Sequence, residues 1–417
     1  MGNVANPAKA LSIMPEVVAG IDGSEASTAD VMMEALHAIR QHFAMEVAFV
    51  SEFSQGRRIF RYVDAAADRQ IIKIGDSNPL DESYCVRVVD GRLPGLIPDA
   101  CQLPAALELP VTTALPVGAH LSVPIHLRDG RVYGTFCCFS TRPDPSLRER
   151  DLAMMQVFAD FAGKQIDRKL AQQRTRDEKL GRIQSIIDQD EFSMVYQPIH
   201  ECLDRKVVGF ESLTRFAPSH GISPETGFRE AGDVGLGVEL ETQVISKVLA
   251  DIGRLPENVY VSVNASPDTI LSGVFEQVLE GLPLKRIVVE VTEHAAIKEY
   301  ARIATALAPL RAKGVRLAVD DAGAGYASFR HILELGPELI KLDISLTRDI
   351  DSNRNRRALA AALIRFAEET GSTIISEGVE TEAELTTLNE LGACMVQGYL
   401  LGRPMPIDAA ATWGSPA

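Results

Sequence analysis

The C-terminal half of this chain repeats a pattern that few folds can accommodate. A short run of β-branched residues ends on a polar or charged side chain, and a segment of helical period follows. Lys206–Phe210 leads to Glu211, Val259–Val263 to Asn264, and Arg286–Val289 to Glu290. Val315–Val319 leads to Asp320 and Asp321, Leu339–Leu346 contains Lys341, Thr373–Ser376 leads to Glu377, and Met395–Val396 to Gln397. Strand, polar residue and helix, repeated about eight times, describe a (β/α)8 barrel of TIM type, in which side chains at the strand C-terminal ends meet at one mouth. Acidic groups gathered there repel one another unless cations lie between them. The pattern alone therefore predicts a metal-dependent site.

A chain of 417 residues holds two domains or more, each able to bury its own core. The net charge of −15 argues against a nucleic-acid polymer as partner, since backbone binding needs a basic face. A small anionic ligand held by local Arg, Lys and metal ions remains compatible with it. Cys85, Cys101, Cys137, Cys138, Cys202 and Cys394 form no CxxC pair and read as reduced thiols of a cytosolic protein. Met1–Gly20 fits a signal peptide poorly, and no apolar run reaches the roughly eighteen residues of a membrane span. A cytoplasmic location is expected.

Residues 1–20 read as a flexible lead-in and 21–165 as a compact α+β domain. Ala26–Phe43 has helical spacing, and Glu46–Phe53 alternates as a strand. Leu121–Leu127 and Arg131–Phe139 flank Asp129-Gly130, which predicts a hairpin closed by a primed turn. Pro79–Pro116 has few strand signals and reads as an excursion covering a pocket. Gly118–Ile125 and Asp129–Thr135 resemble a GAF domain, the small-ligand sensory module, which implies a small ligand of unknown identity. Cys85 reads as a buried structural thiol rather than a chromophore anchor. Over 148–188 a connecting helix is expected, with Leu152, Met155, Ala159, Ala162 and Ile166, then Leu180, Ile183 and Ile187, at helical spacing. It either pairs with its copy in a homodimer or, in its first half, is the last helix of the sensor.

Over 189–410 the strings Tyr196-Gln197-Pro198-Ile199, Gly209-Phe210-Glu211-Ser212-Leu213-Thr214-Arg215-Phe216, Val263-Asn264-Ala265-Ser266 and Glu290-Val291-Thr292-Glu293 follow one another. Asp320-Asp321-Ala322-Gly323-Ala324-Gly325, Lys341-Leu342-Asp343, Glu377-Gly378-Val379-Glu380 and Gln397-Gly398-Tyr399 complete the series. Together they resemble the EAL-domain phosphodiesterases, which open cyclic di-GMP to the linear dinucleotide pGpG. Such hydrolysis needs an activated water, charge relief at phosphorus and help for the leaving oxygen, which two divalent ions about 3.5–4 Å apart supply. Carboxylate and amide oxygens suit Mg2+ or Mn2+, and the absence of His and Cys from the set argues against zinc.

The resemblance implies that Glu211, Asn264, Glu290 and Asp320 hold one ion, and that Asp320 bridges to a second placed by Asp321 and Glu377. Lys341, catalytic with Glu211, either orients or deprotonates the attacking water. Gln197, Leu213, Arg215, Asp343 and Gln397 would contact substrate, Arg215 by gripping a phosphate. Glu293 and Glu380 would steady a loop and the ligands, although Glu380, Glu382 and Glu384 also read as caps of the next helix. Two departures stand out: Ser212 replaces the middle residue of Glu-Ala-Leu, and Ala322 and Ala324 stand where Phe and Thr are usual. The retained ligand set points to an active enzyme. A silent cyclic di-GMP receptor, or a metallo-phosphodiesterase for another nucleotide, is the alternative.

Overall fold

Residues 28–291, 300–323 and 326–413 are described in the computed structural model, as two units that divide between Thr175 and Arg176. The expected lead-in over residues 1–20 lies outside the described residues. In the first unit the strands are β1 (Val47–Ser54), β2 (Arg57–Ala65), β3 (Ser77–Pro79), β4 (Leu96–Ile97), β5 (Ala119–His126) and β6 (Val132–Ser140). They form one antiparallel sheet in the order β3-β2-β1-β6-β5-β4. Side chains alternate between its faces. Val50, Val123, Phe136 and Cys138 meet the helix Thr28–His42 together with Met155, Ala159, Ala162 and Ile166 of the long helix. Val47, Phe49, Cys137 and Phe139 face the other way and are covered by Tyr84, Cys85, Ile97 and Leu109 of the excursion. A small cavity of about 20 Å³ remains under that cover.

The Asp129-Gly130 hairpin forms, but not through a primed turn. Gly130 has φ +83° while Asp129 does not enter the left-handed region, and Gly130 N–H donates to the Leu127 carbonyl. This is a three-residue connection with glycine in the left-handed bulge position. The turn with both central residues left-handed lies between β1 and β2, at Gln55 (φ +50°) and Gly56 (φ +72°).

The second unit closes β7 (Phe192–Glu201), β8 (Val207–Phe216), β9 (Tyr260–Ala265), β10 (Ile287–Val291), β11 (Arg316–Ala322), β12 (Leu339–Leu342), β13 (Thr373–Ser376) and β14 (Met395–Val396) into a barrel. Its first strand departs from the uniform repeat: β7 is antiparallel to both β8 and β14, whereas the remaining pairs are parallel. A parallel crossover needs a dozen residues or so, and residues 202–206 allow only a hairpin. Outward residues Val261, Val263, Val289 and Leu317 bury against Leu240, Val244, Val248 and Leu307 of the surrounding helices. Inward, Ile199, Tyr260, Val288, Ala318, Leu339 and Ile375 form an apolar layer.

One helix, Glu149–Asp188, runs through both units. Its early apolar positions belong to the core of the first unit, and Ile183, Ile186 and Ile187 belong to the barrel core, so most of the expected dimer seam is already used. Leu180 is instead 40% exposed. Lys179 and Arg182 pair with Asp233 (2.7 Å) and Glu230 (3.6 Å) of the helix Pro224–Val234. No helix among the described residues is long and apolar enough to cross a membrane.

Gly209 lies in the apolar layer, where a Cβ would fall 2.5 Å from the Tyr260 ring. Gly209→Ala is therefore expected to destabilise the barrel by about 1–3 kcal/mol, read as a lower urea midpoint with unchanged slope. An unchanged midpoint would show that Tyr260 moves aside freely.

Candidate active site

The two-residue period of the strands builds this site. Each inward apolar residue of the buried layer is followed, two positions on, by a polar one: Val288 by Glu290, Ala318 by Asp320, Leu339 by Lys341 and Ile375 by Glu377. Gly209 and Met395 precede Glu211 and Gln397 in the same way. Glu211 does not follow its strand, as the sequence suggested, but sits within it. Residues beyond it stay paired to β7 as a hairpin, while pairing to β9 ends at Glu211, which places it on the barrel rim. Gln197 is its partner across β7, and Asn264 lies beside Glu290.

Asp321 breaks the period. It has φ +53°, and the β11–β12 register is irregular between Val319 and Ala322. This conformation is uncommon for a residue with a Cβ. It brings two successive carboxylates toward the mouth, so that oxygens of Asp320, Asp321 and Glu377 lie within 4.8 Å of one another. Glu211, Glu290 and Asp320 form a second triad of the same size, and Asp320 belongs to both.

Lys341 lies at the centre. Its Nζ is 2.8 Å from Glu377, 2.9 Å from Glu290, 3.0 Å from Asp320 and 3.1 Å from Glu211, and the side chain is 1% exposed. Burial alone would lower the ammonium, but attraction to Asp320, Glu211, Glu290 and Glu377 outweighs it and holds Lys341 well above its usual 10.5. Burial pushes the Glu290 carboxyl up to about 7 against the pull of Lys341, with Glu211 and Asp320 adding to the rise. Glu377 is raised as well, again mainly by burial. Gln397 Nε2 donates to Glu211 Oε2 (2.5 Å) and to Gln197 Oε1 (3.2 Å), and Gln197 Nε2 donates to the Gly402 carbonyl.

Beside this cluster a cavity of about 640 Å³ opens along Leu213, Arg215, Phe228, Arg229, Val244 and Asn264. Leu213 is partly buried and Arg215 exposed, continuing the inward parity of Glu211 above the rim. Ser212 points the other way and donates to the Ser262 carbonyl.

A model described as EAL domain matches residues 180–404, and one described as GAF domain matches 27–166. The chain belongs to the EAL domain family. An uncharacterized signaling protein of Caulobacter vibrioides is 33% identical over 238 residues, covering 55% of this chain and 29% of that protein. The cyclic di-GMP phosphodiesterase NbdA of Pseudomonas aeruginosa is 30% identical over 263 residues, covering 60% of this chain and 33% of that protein. The chain thus spans only 29% and 33% of the length of these two relatives. Among solved structures, the PaMucR phosphodiesterase in complex with c-di-GMP shares 27% identity at TM-score 0.50, covering 55% of this chain and 98% of that one. The EAL enzyme Bd1971, bound to cAMP and cyclic di-GMP, shares the fold at 18% identity and TM-score 0.54, covering 89% of this chain and 93% of that one.

The remaining positions of the EAL domain divide differently. Glu293 and Ala324 lie outside the described residues. Asp343 accepts the Ser345 N–H (2.9 Å) as cap of the short helix Ile344–Thr347, so the run Leu339–Leu346 is strand only as far as Leu342. Glu380 pairs with Arg348 (3.1 Å) at the surface and does not cap the following helix. Thr381 does, in a capping box with Glu384.

The Glu384 carboxylate also accepts the N–H groups of Asp349 (2.9 Å) and Glu380 (2.9 Å), so it holds together the loops after β12 and β13. Thr347 adds a second tie, donating its hydroxyl to the Glu377 carbonyl. The spacing Thr381-x-x-Glu384 is readable in the sequence; nothing there marks Thr347.

Burial opposes the charge on Glu384, yet the N–H donors of Glu380, Asp349 and Thr381 hold its carboxyl below the usual 4.5. Its stabilising contribution is therefore full above that pH and is lost as pH falls through the lower folded value. Glu384→Gln should cost about 1–3 kcal/mol at pH 7, and the gap between variant and parent should narrow toward pH 3. A gap independent of pH would contradict this role.

Proposed function

We propose that the EAL domain hydrolyses cyclic di-GMP to linear pGpG with two divalent cations, Mg2+ or Mn2+, and that the GAF domain adjusts this activity in response to a small ligand. The observation that carries the reading is the closure of Glu211, Glu290, Asp320 and Glu377 on Lys341, with a cavity in the size range of small-ligand sites reached through Leu213, Arg215 and Asn264. The names of the P. aeruginosa relative and of the c-di-GMP complex support the substrate.

The residues present fit hard cations. The two triads offer only carboxylate oxygens, and Glu290 Oε1 is buried without a hydrogen-bond partner among the described residues. Glu211, Asn264, Glu290 and Asp320 would hold one cation, and Asp320, Asp321 and Glu377 the other. When bound, the pair supplies charge relief at the phosphodiester.

Without cations the four carboxylates hold Lys341 as an ammonium; in the reaction it would act as the donor that orients the attacking water. The water oxygen bonds to phosphorus, the P–O3′ bond breaks, and a proton ends on the departing 3′ oxygen. Arg215 presents parallel N–H donors to the phosphate, while Leu213 and Phe228 offer apolar surface to a base. Gln397, itself held by Gln197, fixes the orientation of Glu211.

Purified protein with Mn2+ should turn cyclic di-GMP into pGpG, and Glu211→Ala or Lys341→Ala should lower kcat by about 10²-fold or more. Binding of the dinucleotide without turnover in the parent protein would make the chain a receptor instead. Lys341→Met removes the cation from the carboxylates. Without metal it should cost about 3–5 kcal/mol, and Mn2+ should restore much of the loss in a thermal melt. Absence of that rescue would overturn the metal assignment. GAF control requires that some small ligand shift the rate of the full chain; a rate unmoved by a broad panel would remove it.

A further inference from the structure

The buried face of the GAF sheet contains a charge that its apolar surroundings do not explain. Arg58 of β2 is 5% exposed. Its guanidinium lies over the rings of Phe60 (4.6 Å) and Phe49 (5.7 Å). Nε donates to Asn78 Oδ1 (3.0 Å) and Nη1 to Cys85 Sγ (3.2 Å). None of these partners is a carboxylate, and a buried cation needs an anion.

Cys85, on the helix Tyr84–Val89, is fully buried, and its Sγ lies 3.6 Å from Sγ of the equally buried Cys137 on β6. Cys137 Sγ is in turn 3.0 Å from Ser122 Oγ and 3.1 Å from Thr135 Oγ1. Burial by itself would raise the Cys85 thiol, but the hydrogen bond from Cys137 and the charge of Arg58 bring it down to about 5, while Cys137 is raised. Cys85 Sγ, which accepts from the Arg58 guanidinium, is the sulfur placed to supply as a thiolate the anion that Arg58 lacks. Arg58 also lines the cavity of about 20 Å³ together with Tyr84 and His120. That is about the room a single water occupies. His120 Nδ1 is buried there without a partner among the described residues.

From the Arg58–Cys85–Cys137 arrangement we infer that the GAF core is a two-electron oxidation site, in which a hydroperoxide converts Cys85 and Cys137 into a disulfide. With hydrogen peroxide, the Cys85 thiolate attacks one oxygen, an S–O bond forms and the O–O bond breaks. The departing hydroxide takes the Cys137 proton and leaves as water. The Cys137 thiolate then attacks the Cys85 sulfenic acid, the S–S bond forms, and hydroxide departs with a proton from solvent. The two thiols lose two electrons, and one peroxide becomes two waters. Arg58 is left with Asn78 and two ring faces, so β2 and the helix Tyr84–Val89 lose their shared ion pair.

The exposed thiols Cys101 and Cys394 provide an internal comparison. The full chain, treated with one equivalent of hydrogen peroxide at pH 7, is alkylated, digested without reduction and mapped by mass spectrometry. A peptide pair joined through Cys85 and Cys137 is expected, with Cys101 and Cys394 still largely alkylated. In Cys137→Ser, a 1,3-dione probe should label Cys85. In Arg58→Gln, oxidation should be slower by about tenfold or more, because the thiolate fraction falls. Oxidation of Cys101 and Cys394 ahead of a Cys85–Cys137 pair that stays reduced overturns the inference. A folded Arg58→Gln that reacts as fast as the parent overturns the role given to Arg58. The mapping of the parent protein needs no variant and decides the matter even if one fails to fold.

Discussion

Carboxylates held together away from water raise one another's energy, and the mouth of this barrel is organised around relieving that repulsion. Glu211, Glu290, Asp320 and Glu377 come from four strands or their ends, separated by many residues in the chain, and meet within hydrogen-bond reach of one ammonium. Glu290, Asp320 and Glu377 are each anchored by an apolar residue two positions earlier on the same face of the strand, and Glu211 follows Gly209 in the same way. The apolar layer fixes strand register, and register in turn places the charges. Packing and electrostatics are thus not separate here. A slip of one residue in β10 would put Glu290 against the outer helices and Val289 or Val291 into the mouth.

Much of this was legible because charged residues interrupt apolar runs. Glu290, Asp320, Lys341 and Glu377 each end or break a stretch of aliphatic residues, and a strand with both faces covered leaves little other place for them. The direction of β7 was not legible. The hairpin after it turns on Arg205, at φ +52°, so the Gly or Asn that usually marks such a turn is missing. The same holds for Asp321, whose left-handed backbone is what turns a second carboxylate inward. Thr347 escaped because a buried hydroxyl tied to a distant carbonyl has no local signature.

The GAF sheet teaches a related lesson. Cys137 and Cys138 are adjacent, and composition treats them alike. The pleat sends Cys138 toward Met155 and the helices, where its thiol has apolar and thioether neighbours, and burial alone pushes it up. Cys137 goes to the opposite face, among hydroxyls and beside Cys85. The sequence reading of Cys85 as buried agrees with its position. What it missed was Arg58, which sits 27 residues away in the chain and reads as an ordinary strand-surface cation.

The reversed first strand has a mechanical consequence. Because β7 runs against its neighbours, its first residue, Phe192, pairs with Phe216 beyond Glu211, at the open end of the barrel. The long helix that precedes β7 therefore hands the chain over at the mouth where the carboxylates gather, whereas a first strand running with the others would start at the floor. Lys179 and Arg182 fasten that helix to Pro224–Val234, which also forms one wall of the cavity through Phe228 and Arg229. The end of the helix is thereby tied by two ion pairs to an element that also walls the cavity.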